Sequence, residues 1–321
     1  MRLRGLGIPK QAFRWARRKL RPGPLVLGYH RIADVGWDPQ RLCVSPGHFA
    51  EQLEVLKDAA KPVTLQAVVQ SISEGGALGR AFAVTFDDGY ADTLEDALPM
   101  VERPGGPASV FVPTGMIGKP FGWCEIEHWI TEAESLPAKI SISAEESVFQ
   151  WQMDFDTRNE RGRLLQELGD FFRAIPTRLH DEALDRARGS LGGEALGGSG
   201  IRAMSAGQIE ELSNSQFIEI GSHLVTHTPM DRLAIDEQRR ELQESRKVLE
   251  EITGCVVDSF AYPNSVVSDV APSLAREVGY RSGVAGHADT VWPGCDPFVL
   301  PRVWPGDWDG DRFARWLRWW F

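Results

Sequence analysis

Ala81-Phe82-Ala83-Val84-Thr85-Phe86-Asp87-Asp88-Gly89-Tyr90 is an apolar run that ends in two adjacent carboxylates and a glycine. The run has the length and composition of a buried strand, which places Asp87 and Asp88 where that strand leaves for a loop. Desolvating one anion costs several kcal/mol, and two side by side repel. A cation, a proton or strong donors must therefore offset the charge, and a metal ion does so most simply. Alone, such a pair would more often be a helix cap or a turn.

Neutral nitrogen ligands come from Gly221-Ser222-His223-Leu224-Val225-Thr226-His227-Thr228-Pro229. Four-residue spacing on a helical turn or a tight loop lets both imidazoles reach one ion. The preceding Phe217-Ile218-Glu219-Ile220 is strand-like, so the histidines also sit just past a strand end. Parallel strands of an α/β sheet or barrel gather such residues at their carboxyl ends. One carboxylate and two imidazoles leave positions open on a metal, as a catalytic site requires, and the second carboxylate is left as a base.

Thr85-Phe86-Asp87-Asp88-Gly89-Tyr90, Ser222-His223-x-x-x-His227 and Phe260-Ala261-Tyr262-Pro263 occur in that order. Together they resemble the first three motifs of the polysaccharide deacetylase family, the NodB-homology domain of carbohydrate esterase family 4. The resemblance runs from Leu25 to Asp307. It includes Gly28-Tyr29-His30-Arg31-Ile32, Ser45-Pro46 and Phe49-x-x-Gln52-Leu53, a start similar to the branch that acts on surface-polysaccharide or lipopolysaccharide sugars. It implies an α/β fold, a distorted (β/α) barrel. It also implies Asp88, His223 and His227 as ligands of a divalent metal, Asp87 as the general base, and Tyr262, Pro263 and Asn264 as substrate-binding residues. Zinc is the expected ion, and cobalt, nickel or manganese suit the same donors. A metal lowers the pKa of its water and polarises an acetamide carbonyl while a carboxylate takes the proton. The implied activity is removal of N-acetyl groups from an amino sugar of a surface polysaccharide, a lipopolysaccharide, or a lipid-linked or nucleotide-linked precursor.

Two positions depart from the family pattern. Ala261 stands where many members carry an arginine that orients the base, and Arg302, in Leu300-Pro301-Arg302-Val303, is the candidate replacement. No late Leu-x-His motif supplies a general acid. His30, at the exit of the strand-like Leu25-Val26-Leu27-Gly28-Tyr29, is the expected acid, with His287 as runner-up. These departures allow a carbohydrate-binding member without turnover, or a deacylase acting on an O-acetyl or formyl group. Retention of Asp87 beside the three ligands argues against pure binding. Among the tryptophans, Trp304 has a positional argument as a sugar contact through its closeness to Arg302; Trp123, Trp292 and Trp308 are weaker candidates.

The 321 residues, 42% hydrophobic and 25% charged, suffice for a large core. A barrel of ~250 residues with an insertion over about 116–206, shaped by a helix, a hairpin and a second helix, fits better than two independent domains. That insertion is expected to lie over the strand ends carrying Asp88 and His223, and Gly189 to Gly200 reads as a loop. Helices are expected over Phe49–Leu56, Leu233–Ile252 and Ser273–Val278, and strands over Ala108–Pro113 and Val256–Tyr262. A net charge of −10 argues against a nucleic-acid partner. Cys43, Cys124, Cys255 and Cys295 are widely spaced and read as thiols. Residues 1–24 form a basic segment without the apolar core of a signal peptide, and no run of ~18 apolar residues marks a membrane span, so a cytoplasmic location is expected. The basic, aromatic ends, Gln11–Leu20 and Phe313–Phe321, could rest on the inner face of an anionic membrane, or pack on the barrel as helices.

Overall fold

The structure, a computed structural model, describes residues 23–74, 78–102, 106–193 and 201–321. Seven parallel strands follow one another in chain order: β1 (Leu25–Tyr29), β2 (Ala81–Phe86), β3 (Ala108–Val112), β4 (Ile218–Ser222), β5 (Ser259–Ala261), β6 (Ser282–Ala285) and β7 (Leu300–Pro301). The ring closes through a parallel bridge between Leu27 and Val303, where Val303 N donates to Val26 O and Gly28 N to Val303 O. This is the (β/α) barrel implied by the sequence. Every neighbour is parallel, so all seven carboxyl ends open at the same rim, and the long connections carry helices.

Side chains alternate along each strand, and the two faces have different partners. Leu25, Leu27, Tyr29, Phe82, Val84, Phe86, Val110 and Val112 pack with Phe49, Leu53 and Leu56 of the helix Pro46–Ala59, and with Leu242 and Leu249 of the helix Ile235–Thr253. The alternate residues Val26, Ala81, Ala83, Phe111, Ala261, Val284 and Leu300 form a separate apolar cluster. Thr85 and then Asp87 continue the Ala81–Ala83 series at spacing two, so the strand itself aims the Asp87 carboxylate into the barrel. The strand expected over Val256–Tyr262 is confined to Ser259–Ala261. Gly254, left-handed at φ 66°, caps the preceding helix, and Val256 is 69% exposed before the chain enters the barrel.

Trp37–Gln40 and Gly118–Ala203 form a second compact unit. It contains the helix Gly122–Glu132, an antiparallel hairpin of Lys139–Ala144 and Ser147–Gln152, and the helices Arg158–Ala174 and His180–Leu191. Its own core includes Trp129, Ile140, Ile142, Trp151, Leu164, Leu168 and Ala187. The helix His180–Leu191 takes in the first residues of the stretch expected to be a loop, and 194–200 lie outside the described residues.

No disulfide links the four cysteines, and no helix among the described residues is long and apolar enough to cross a membrane. The basic amino-terminal segment and Gln11–Leu20 lie outside the described residues, apart from Gly23 and Pro24. At the other end, the helix Gly310–Leu317 turns Phe313 and Leu317 inward, and Trp320 and Phe321 are buried after it, which leaves Trp319 as the exposed ring at 66%. The apolar face of this end is thus packed within the fold, the second of the two fates expected for it.

Candidate metal centre and active site

Asp88 follows β2 in a left-handed conformation, φ 69°, and Gly89 repeats it at φ 65°. Two successive left-handed residues turn the chain sharply, and the non-glycine one carries roughly 1 kcal/mol of strain. Asp87 N donates to Tyr29 O at 2.9 Å, which fixes this turn against the end of β1. The histidine loop leaves β4 similarly, with Leu224 at φ 65° and His227 at φ 58°, while His223 N donates to Val112 O at 2.9 Å. Non-glycine residues in left-handed backbone on both loops mark the place where the fold holds side chains against local preference.

One ligand atom each from Asp88, His223 and His227 lies within 4.8 Å of the others. Asp88 Oδ1 is 3.4 Å from His223 Nε2 and 3.2 Å from His227 Nε2. Asp88 and His223 are buried, and His227 is partly so. His223 Nδ1 faces the Ala261 carbonyl oxygen at 2.9 Å. A carbonyl can only accept, so Nδ1 carries a proton and Nε2 is left facing Asp88, the orientation in which an imidazole would present that nitrogen to a metal ion. One carboxylate oxygen and two imidazole nitrogens converging on one point fit a divalent transition metal with positions to spare.

Asp87 stands beside this trio, its Oδ2 3.8 Å from His223 Nε2. Arg302, at 0% exposure, grips it with both nitrogens: Nη1 to Oδ1 at 2.6 Å and Nη2 to Oδ2 at 2.7 Å. Nη1 also donates to Thr85 Oγ1 at 3.1 Å, and that hydroxyl in turn donates to Leu27 O at 2.9 Å. Arg302 N donates to the His287 carbonyl, so the strand end is fixed as well as the fork.

Burial pushes the Asp87 carboxyl up and is the largest single influence. The charge and hydrogen bonds of Arg302, with His223 and His30, outweigh it and hold Asp87 below the usual carboxylate range. Asp88 goes further: burial again pushes hardest upward, yet hydrogen bonds from His223 and His227 bring it well below that range. His223 moves the other way. Burial disfavours its charged form, but the charges of Asp87 and Asp88 with the Asp88 hydrogen bond raise it.

His30, partly exposed at the end of β1, stacks on Trp304 with ring centroids 4.8 Å apart. Burial, with smaller contributions from Arg302 and His223, outweighs the upward pull of Asp88 and Asp87 and lowers the His30 pKa below its ordinary value. The Arg302 guanidinium lies 4.2 Å from the Trp304 ring centre. Gly28 lets that ring come close, since a Cβ there would fall 2.2 Å from it. Trp304 is therefore engaged by His30, Arg302 and the β1 backbone, and a sugar could meet only its remaining partly exposed surface.

Tyr262 and Pro263 are buried, the Tyr262 hydroxyl donating to Phe298 O at 3.0 Å, so neither presents a face to solvent. Asn264 is exposed in left-handed backbone, φ 52°. His287 is exposed, and its carbonyl supports Arg302. Trp292 is 40% exposed, Trp308 packs on Trp316, and Trp123 stacks on Phe121 within the second unit. Sequence inspection missed the Ala261 carbonyl, which has no side-chain signature, and Thr85, which the period-two series leading to Asp87 could have revealed. It also missed the partly buried ion pair of Arg31 Nε with Asp92 Oδ2 at 2.9 Å, beside the site turn.

A family model described as polysaccharide deacetylase matches residues 191–283, a segment that holds both histidines and the Phe260–Pro263 motif. A search of curated protein sequences finds no match. Similar solved structures include IcaB from Ammonifex degensii, 19% identical, covering 93% of this chain and 97% of that one with a TM-score of 0.60. The Streptococcus pyogenes deacetylase PplD in complex with acetate is 17% identical, covering 91% and 96% with a TM-score of 0.59. The deacetylase domain of BpsB from Bordetella bronchiseptica is 16% identical, covering 87% and 94% with a TM-score of 0.51. The likeness to polysaccharide deacetylases read from the motifs is thus found again by the family model and by the fold.

Proposed function

We propose that this polysaccharide deacetylase-like chain is a metal-dependent hydrolase that removes N-acetyl groups from an amino sugar of a surface glycan or of its lipid-linked or nucleotide-linked precursor, met in the cytoplasm. The observation that carries most weight is the carboxylate left over. Asp87 is buried, held anionic by a two-pronged arginine, and stands 3.8 Å from a nitrogen of the Asp88–His223–His227 trio without completing it. Pure sugar binding gives no reason to bury a second anion there, whereas amide hydrolysis needs a base at that place. The acetate bound in the PplD structure is the product expected here.

A divalent ion on Asp88, His223 and His227 would polarise the acetamide carbonyl and acidify water. Asp87 takes a proton from the water that attacks the carbonyl carbon. Arg302 keeps Asp87 ionised beforehand and its two oxygens fixed in direction. His30, in its protonated form, delivers a proton to the sugar nitrogen as the C–N bond breaks, so that acetate and a free amine leave, and it takes up a proton again from solvent before the next turnover. Trp304, stacked on His30, holds that imidazole in place.

Stripping the protein with a chelator is expected to abolish acetate release, and returning zinc, cobalt, nickel or manganese singly to restore it to different degrees. Full activity after verified removal of metal would sink the metal requirement. His30→Gln is expected to lower turnover about 100-fold with the Michaelis constant little changed. Wild-type turnover in that variant would assign proton delivery elsewhere, with His287 the next residue to replace.

A further inference from the structure

The histidine loop is held from two sides. Thr114 N donates to Leu224 O at 3.0 Å and Gly115 N to Val225 O at 2.8 Å, which ties the loop to the chain just past β3. From the other side comes Glu241, a buried residue of the helix Ile235–Thr253. Its Oε2 accepts Val225 N at 2.7 Å and Thr226 N at 3.0 Å, and its Oε1 accepts the Thr226 hydroxyl at 2.8 Å. All these partners lie between His223 and His227.

The helix is itself registered against β4. Ser245, one turn beyond Glu241, donates its hydroxyl to Glu241 O at 2.6 Å and meets Ser222 Oγ at 2.7 Å, while Ser222 Oγ accepts Leu224 N at 3.0 Å. One continuous chain of hydrogen bonds thus runs from the helix, through the strand end, into the loop. The loop needs it, because Leu224 and His227 both sit in left-handed backbone that unrestrained side-chain-bearing residues leave. A carboxylate that takes hydrogen bonds from two successive N–H groups makes the stronger, charge-assisted kind.

We propose that Glu241 is a positioning residue of the metal centre: without touching the ion, it sets ion affinity by holding the loop in the shape that brings His223 and His227 to Asp88. Ligands already in place bind more tightly, since ordering them is not drawn from the binding energy. The inference rests on the metal-centre part of the proposed function and is independent of the substrate.

Zinc affinity of the metal-free full chain, measured by competition with a chromophoric chelator, tests it, with unfolding midpoints recorded beside. Glu241→Gln keeps the size but leaves only a neutral oxygen for the two N–H groups and sets an N–H₂ against the Thr226 hydroxyl, and is expected to weaken zinc binding about 10–100-fold, the range for groups that orient metal ligands. Thr226→Val removes one of the three bonds and should weaken it about threefold, in line with a single hydrogen bond. Glu241→Asp, which retains the charge on a shorter arm, should recover part of the affinity. A folded Glu241→Gln protein that binds zinc within twofold of wild type would overturn the proposal, even with a lowered unfolding midpoint, because that is the signature of a purely structural role. Should that variant not fold, wild-type affinity in Thr226→Val overturns it equally. Zinc binding by the wild type that weakens in the variants supports the role of Glu241 whether or not acetate is released, and absent acetate release counts against the deacetylase reading alone.

Discussion

Asp87→Asn is expected to reduce turnover in acetate release about a thousandfold while zinc still binds within a few-fold of the wild-type affinity. The asparagine has nearly the same shape but cannot take a proton, and the proposed ligands Asp88, His223 and His227 keep their own contacts. The wild-type carboxylate is suited to the role because Arg302 and the neighbouring histidines outweigh burial and keep it ionised at neutral pH. The variant leaves the Arg302 charge buried without its counter-ion, so a loss of stability is expected as well. Unfolding curves at the assay temperature separate the two effects. Turnover within tenfold of wild type, in folded and metal-loaded protein, would mean that another group takes the proton.

Arg302→Leu has the second large effect, and it falls on stability and chemistry together. Arg302 is wholly buried and spends both terminal nitrogens on Asp87. Removing one partner of such a pair costs about 3–5 kcal/mol, because the carboxylate stays buried without compensation. Adding Asp87→Asn to Arg302→Leu should return part of that loss, a coupling that a double-mutant cycle reads directly. The pH dependence follows from the same forces. With Arg302 gone, burial dominates and raises the Asp87 pKa, so the base becomes available only at higher pH and activity falls more at pH 6 than at pH 9. Folding stability has the matching sign. The depressed pKa values of Asp87 and Asp88 contribute stability that is fully present above about pH 4 and lost as the pH falls below it, and Arg302→Leu removes the Asp87 share. Arg302→Lys keeps the charge but not the fork, and should fall between wild type and leucine.

Much of this centre was legible in the chain because its parts are side chains with strong chemical identities at strand exits. Asp87 and Asp88 end an uninterrupted apolar run, and the histidine spacing follows a second one. Arg302 could be named because Ala261 lacks the family's arginine and the resemblance to the surface-polysaccharide branch implies a basic residue there, though its two-pronged grip on Asp87 depends on alternation along β2 and on closure of the ring at Leu27 and Val303. The Ala261 carbonyl was not legible, since every residue carries one. Glu241 was hidden for a different reason: in a helix crowded with Glu and Arg, a buried carboxylate looks like any solvated neighbour until the loop it holds is seen. Tyr262 and Pro263, expected at the substrate, are buried, and it is the carbonyl of the neighbouring Ala261 that meets His223. The helix His180–Leu191 escaped notice because its glycine at 189 resembles the start of the glycine-rich stretch that follows.

Acetate and free amine should be quantified together, using zinc-loaded wild-type protein on a panel of N-acetylated sugars that includes lipid-linked and nucleotide-linked forms. Equimolar acetate and amine from at least one member is the expected result, and would fix the substrate class at the same time. No acetate from any of them, from protein shown to hold stoichiometric zinc, would contradict N-deacetylation and turn attention to O-acetyl or formyl groups, or to carbohydrate binding without turnover.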